Sequence, residues 1–242
     1  MTDLALTELV VVCGVGAGVL STLAGQGGGL VALLALSAAV GPKEALVLTA
    51  PGLAVANVHR AWVFRREIDR AIVRRMFAPM VVASALVGML AVRAPTGVLR
   101  ALLVLATAIA LAKAAGWLTF RVRPAWFAPA GAAIGAFGAC SGGAGLLLSP
   151  LLVSAGLEGE AFIGTTQLLA LALNGGRMVG YFAGGSLTRS ALPLATAMLL
   201  ALLVGNSLGH ALRRWLDKKQ LRAIELGTMA LATTLVALGA RG

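Results

Sequence analysis

Charged side chains are scarce in this sequence, and acidic ones are scarcer still. Only 12% of the 242 residues are charged, with 9 Asp and Glu against 20 Lys and Arg. A soluble domain carries about 25% charged residues, because a surface facing water must be covered with polar groups. This scarcity excludes a water-solvated globule. No acidic residue falls in the middle of an apolar run, so a relay of buried carboxylates, common in proton-coupled carriers, has no candidate. Cysteine is nearly absent too. Cys13 and Cys140 lie in separate apolar stretches without ligand spacing, which implies neither a disulfide framework nor a thiolate metal site. His59 and His210 each stand alone near a basic helix end, a surface position rather than a proton relay. The HExxH, CxxC and GxSxG patterns are missing, and Ser141 has no histidine–acid partners. No catalytic residue, metal ligand or cofactor is therefore expected. Met1-Thr2-Asp3 lacks the basic region of a cleaved leader, so the first apolar run is expected to be retained.

Apolar residues fill the space that charge leaves. They make up 59% of the chain, and mean hydropathy is +0.93. Lipid is the solvent that fits, and at ~20 residues per spanning helix the length allows about eight to ten helical segments. The net charge of +11 does not point to nucleic acid. The basic residues sit in short loops between apolar runs, with no basic domain and no interleaved aromatics, as in the positive-inside bias of membrane proteins. Gly14-Val15-Gly16-Ala17-Gly18 has the look of a dinucleotide loop, but no strand precedes it and no acidic partner follows.

Ten apolar segments can be read, at 4–25, 28–41, 43–63, 71–93, 97–120, 126–140, 144–156, 160–183, 188–211 and 220–240. The run at 28–41 is too short to span, since ~14 residues at 1.5 Å each reach ~21 Å against a hydrocarbon core of ~30 Å. The run at 144–156 is equally short, and 126–140 is marginal. A shift of 116 lays Gly25-Gln26-Gly27-Gly28-Gly29-Leu30 over Ser141-Gly142-Gly143-Ala144-Gly145-Leu146. A shift of 117 lays Thr49 over Thr166, Asn57 over Asn174, Arg60 over Arg177 and Gly88 over Gly205. This ordered series predicts an internal duplication, with repeats at 1–120 and 121–242 in one membrane domain. Each repeat holds five segments, one of them a short glycine-led helix, either re-entrant or broken.

Five is odd, so the second half should be inverted relative to the first. Loop charge agrees. With the 63–71 loop inside, the inside set is Arg60, Arg65, Arg66, Arg70, Arg74, Arg75, Arg121, Arg123, Arg213, Arg214, Lys218, Lys219 and Arg222. The outside set is Lys43, Arg93, Arg100, Arg177, Arg189 and Arg241. Both termini are then expected outside. Inverted repeats are a recurring plan of secondary transporters, with the site where the repeats meet. The expected fold class is thus an all-α polytopic membrane protein built from two inverted repeats of five.

Two constellations carry the expected site. Glycines 27–29 and the set Gly142, Gly143, Ala144, Gly145 each open a short helix, whose unpaired first-turn N–H groups and partial positive charge suit an anion. The plainer alternative is close helix packing through small residues. Asn57 with Arg60, and Asn174 with Arg177, share a helix face at a spacing of three. An arginine fork suits two oxygens of a sulfonate, carboxylate or sulfite, yet both arginines lie near predicted helix ends and could instead snorkel to headgroups. Drawing anions to the mouths is the favoured role over deep ligation. Thr49, Thr165, Thr166 and Gln167 sit on the preceding turns and either line the site or bond helix carbonyls.

At these repeated glycine-led helices the chain resembles the TauE/SafE family of sulfite and organosulfonate exporters. The resemblance rests on Gly27-Gly28-Gly29, Thr49, Gly142-Gly143-Ala144-Gly145, Pro150, Ala161, Gly164-Thr165-Thr166 and Asn174-x-x-Arg177. It covers about 9–240. Ala144 stands where the motif would have glycine, and Leu34 stands where Pro150 would have its counterpart. The resemblance implies a permease of the bacterial plasma membrane for small, often sulfur-containing anions, with no enzyme activity. Expected partners are that anion and the bilayer, with a homodimer open. Export suits the charge, because an inside-negative potential contributes about 2.3 kcal/mol per charge per 100 mV. The rival readings are a non-transporting membrane scaffold or assembly factor, and an anion channel.

Overall fold

A computed structural model describes residues 3–23, 28–114, 123–142, 145–186 and 191–217, with 220, 223, 224 and 227 beyond them. The described residues form nine α-helices and no strand: α1 (Asp3–Leu23), α2 (Gly28–Val40), α3 (Pro42–Val63), α4 (Arg70–Ala91), α5 (Thr96–Ala114), α6 (Phe127–Ser141), α7 (Gly145–Ser154), α8 (Gly159–Ala183) and α9 (Leu192–Arg213). A single 3-10 turn, Pro124–Trp126, leads into α6. These match nine of the ten expected segments; the tenth, 220–240, lies almost wholly outside the described residues.

Local chemistry sets the boundaries. Gly41 precedes α3 at φ 91°, and Pro42 opens that helix where its missing N–H leaves no bond unmade. Asp69 caps α4 by accepting from the N–H groups of Ala71 and Ile72, both at 2.9 Å. Gly142 ends α6 at φ 64°, a left-handed conformation that a side chain resists. The short helices keep their expected lengths: α2 has 13 residues and α7 has 10. At 1.5 Å per residue they reach only ~20 Å and ~15 Å, too little to cross alone.

Among the described residues, α1 from Leu4, α4 and α9 are long and apolar enough to cross a membrane. Their outer faces carry apolar stripes at helical spacing: Val82, Leu86 and Leu90 on α4, and Leu200, Val204, Leu208 and Leu212 on α9, all exposed. A water-soluble protein would bury such stripes; here they suit acyl chains. Helices α3 and α8 are as long but less apolar, because they hold most of the buried polar groups. Exposed Trp62, Trp126 and Trp215 stand at the ends of α3, α6 and α9, with the Arg65 guanidinium 4.5 Å over the Trp62 ring. This is the aromatic and cationic trim of a membrane–water interface.

Small residues set the packing. A Cβ at Gly18 would strike the backbone of Leu202 and Asn206, and one at Gly205 the Val15 carbonyl, so α1 and α9 touch backbone to backbone. Gly131 and Gly135 press on Met76 and Met80 in the same way, joining α6 to α4. Gly176 and Gly180 press on Val81 and Ala85, joining α8 to α4. In each pair residue numbers rise together, so the helices run parallel. The main pairings are α1 with α9, α4 with α6 and α8, and α3 with α8 and α9. The glycines at 14 and 18 are thus packing residues, and Gly16 faces open space.

Candidate functional site

One stripe of α8 gathers the polar residues. At 100° per residue, Thr166 and Arg177, eleven positions apart, fall within about 20° of each other, with Tyr181 and Asn174 about 40° and 60° further round on one side. All four are buried. Arg177 is the extreme case, at 0% exposure, and its Nε, Nη1 and Nη2 have no hydrogen-bond partner among the described residues. At 0% exposure the side chain does not snorkel along the surface to headgroups. The physical reason is the glycine seam: α8 lies so close to α4 that a Cβ on Gly88 would come within 3.3 Å of Arg177 Cα. The side chain is then turned into the bundle rather than along its surface.

The guanidinium lies at the second glycine break. A Cβ built on Gly142 would stand 3.3 Å from Arg177 Nη1 and would overlap Leu33 Cδ2 of α2. The break between α6 and α7, the first short helix and α8 therefore converge on one point. Tyr181 closes another side: its hydroxyl donates to the Ala139 carbonyl in the last turn of α6 and lies close enough to the guanidinium to interact with it. Ser141 also bonds within α6, donating to Phe137 O at 2.9 Å.

No carboxylate pairs with Arg177 among the described residues. The end of α6 offers the negative pole of a helix dipole, but α7 begins three residues later with a positive one. Each pole amounts to roughly half a unit charge, so the two about cancel and the full charge of Arg177 remains. A buried guanidinium that has no carboxylate partner among the described residues suits an oxyanion offering two or more oxygens.

The other candidates are placed as follows. Gly27, Gly143 and Ala144 lie outside the described residues. Gly28 is buried, and a Cβ there would strike Ala17 O and Ser21 of α1; Gly29 faces Leu53 of α3. A larger residue at Gly28 would thus disturb α1–α2 packing as well as any ligand. Gly145 opens α7. Thr49 donates to Ala45 O at 2.9 Å, and Asn174 Nδ2 donates to Ala170 O at 2.9 Å. Asn57 and Gln167 are buried. Among the described residues, Thr166 Oγ1 is buried without a hydrogen-bond partner, as is Nε of the half-buried Arg60. Gly142 and Arg177 are brought together directly; the first glycine turn reaches them through Leu33, five residues into α2.

Thr165 has a structural partner across 96 positions: its hydroxyl accepts from the Asp69 N–H at 2.9 Å. It thereby holds the residue that caps α4. Thr165→Val keeps the shape and removes the acceptor, so the part-buried N–H loses its partner. The variant should lose about 1–3 kcal/mol of stability, read as a lower unfolding temperature in detergent. An unchanged unfolding temperature would show that water replaces the bond.

Sequence reading had not singled out Leu33 or Tyr181. Tyr181 is the only tyrosine of the chain and stands four residues after Arg177, one turn along the same face. That signal was available. Leu33 had none, since only the fold brings it to Gly142. A separate surface groove of about 540 Å³ lies between Arg65, Arg70, Arg74 and Leu168. It belongs to the basic interfacial rim and has no part in the buried cluster.

A family model described as Sulfite exporter TauE/SafE matches residues 10–236, a span that takes in every residue of this cluster. No curated protein and no solved structure matches the chain.

Proposed function

The chain belongs to the sulfite exporter TauE/SafE family, and from that membership we propose that it is a secondary permease carrying a small oxyanion, sulfite or an organosulfonate, out across the bacterial plasma membrane. The observation that carries this reading is Arg177: fully buried, with no carboxylate partner among the described residues, and set against the glycine break of α6 and α7. An isolated charge at such depth is expensive, and within membranes such residues mark ion and substrate paths. The bound anion would neutralise it. Tyr181 fixes one wall.

The two halves are proposed to be inverted repeats, 1–120 and 121–242, with both termini outside. The parallel pairing of α1 with α9 and of α6 with α4 supports this, because equivalent helices then make equivalent contacts with exchanged partners. Thr166 and Arg60, each with a buried unpaired atom, extend the polar path toward the basic face.

The test is flux in proteoliposomes loaded with radiolabelled sulfite or sulfoacetate, with an inside-negative potential and with unlabelled anion inside and out. Protein-dependent flux that saturates with concentration is the expected outcome, saturation separating a carrier from a channel. Folded protein giving no flux of any candidate anion under either condition would remove the transport reading and leave a scaffold.

A further inference from the structure

Arg177 bears on how the carrier returns as well as on what it binds. No hydrogen bond of good geometry reaches its three guanidinium nitrogens among the described residues; the Tyr181 hydroxyl is the one polar group close by, and no carboxylate offsets them. The α6 and α7 dipole ends beside it oppose one another. The backbone of Arg177 is pinned by Gly88 of α4, and Nη1 lies at Gly142 under Leu33. The side chain therefore has no short route to water on which to unload its charge.

A permease must pass through a closed state in which its site faces neither side. With an anion bound, the site in that state is a neutralised pair. Without one, the closed state holds a bare guanidinium in a dry, low-dielectric interior, where an unpaired charge is far less stable than in water. Closing is thus favourable for the loaded protein and strongly disfavoured for the empty one. Carriers that return empty need some way to neutralise the site on the way back, by a proton or by an internal partner. Among the described residues this site has neither a carboxylate nor a histidine to do so, and the proton of the Tyr181 hydroxyl is committed to the Ala139 carbonyl.

We infer that the protein is an obligate anion exchanger: one anion leaves only as a second anion of the same chemical class, an oxyanion with two or more oxygens, enters. The inference rests on the permease reading above and adds the second substrate to it. Exchange of equal charges is electroneutral, so the driving force becomes the opposing gradients of the two anions rather than the membrane voltage.

The experiment uses the full chain in liposomes loaded with radiolabelled sulfite, with the voltage clamped by valinomycin and equal potassium. Efflux is followed into medium free of permeant anion, and into medium containing unlabelled sulfite or sulfoacetate. Exchange predicts at least a tenfold faster efflux with external anion, and no acceleration when external pH alone is changed. Equal efflux into both media, or efflux restored by protons alone, overturns the inference while leaving the permease intact. Absence of flux in every condition overturns the permease reading instead. Arg177→Gln is the second arm. If the bare charge blocks empty return, any flux that survives the substitution should lose its dependence on external anion; survival of the full dependence would also overturn the inference.

Discussion

Arg177→Met is expected to unfold at a higher temperature than the parent protein and to be blind to anions. Methionine keeps most of the length of the arginine stem and places no charge in the bundle. The parent bears a guanidinium at 0% exposure with no carboxylate partner among the described residues, a burden of several kcal/mol even after relaxation and water penetration. At about 2–4 °C per kcal/mol for a chain of this size, removing it should raise the unfolding temperature by ~5 °C or more. The opposite change appears with ligand. Sulfite at a hundredfold excess over its dissociation constant should stabilise the parent by about 2.7 kcal/mol and leave Arg177→Met unmoved. Transport should fall below a hundredth of the parent rate, the loss of a charge-assisted bidentate contact. Arg177→Lys should retain some stabilisation by anion, because it keeps the charge and loses only the fork. A destabilised methionine variant that still responds to sulfite would show that Arg177 serves packing alone.

The second large effect is expected at Gly142. Alanine there must adopt φ 64°, at about 1–2 kcal/mol, and its Cβ must displace Leu33 Cδ2. It also comes within 3.3 Å of Arg177 Nη1. Gly142→Ala should therefore lower stability by roughly 2–4 kcal/mol and depress transport further than that loss explains, because the guanidinium is moved. Leu33→Ala in the same chain removes the overlap and leaves the backbone strain. A double-mutant cycle should give a favourable coupling of about 0.5–3 kcal/mol between the two sites. Strict additivity in unfolding measurements would mean that Leu33 and Gly142 do not meet.

The helices were legible because lipid solvation demands long apolar runs and leaves breaks conspicuous. The ends of α2, α3 and α4 fall within two residues of the expected segments, and Pro42 and Asp69 explain why. The short α7 was legible by length alone. The depth of Arg177 was not. The repeat equates it with Arg60, and both lie near predicted helix ends, so a sequence alone assigns them one role. Their surroundings differ: Arg60 is half-buried in the last turn of α3, whereas Arg177 is held behind the seam of α8 on α4. The link of Thr165 to Asp69 was illegible for a related reason, since it joins two helix starts 96 residues apart. Glycine was read chiefly as a means to expose N–H groups, and at Gly18, Gly28 and Gly205 the structure shows the other use, in which a missing side chain lets two backbones touch.

Those backbone contacts have a mechanical meaning. Where main chain rests on main chain, there is no layer of side chains to shear, so α1 with α9, and α6 and α8 with α4, behave as welded beams. Each beam joins a helix of the first half to one of the second. In the proposed two-repeat arrangement the rigid units are therefore hybrids of the two halves, and a sliding surface between them would cross the boundary between the repeats.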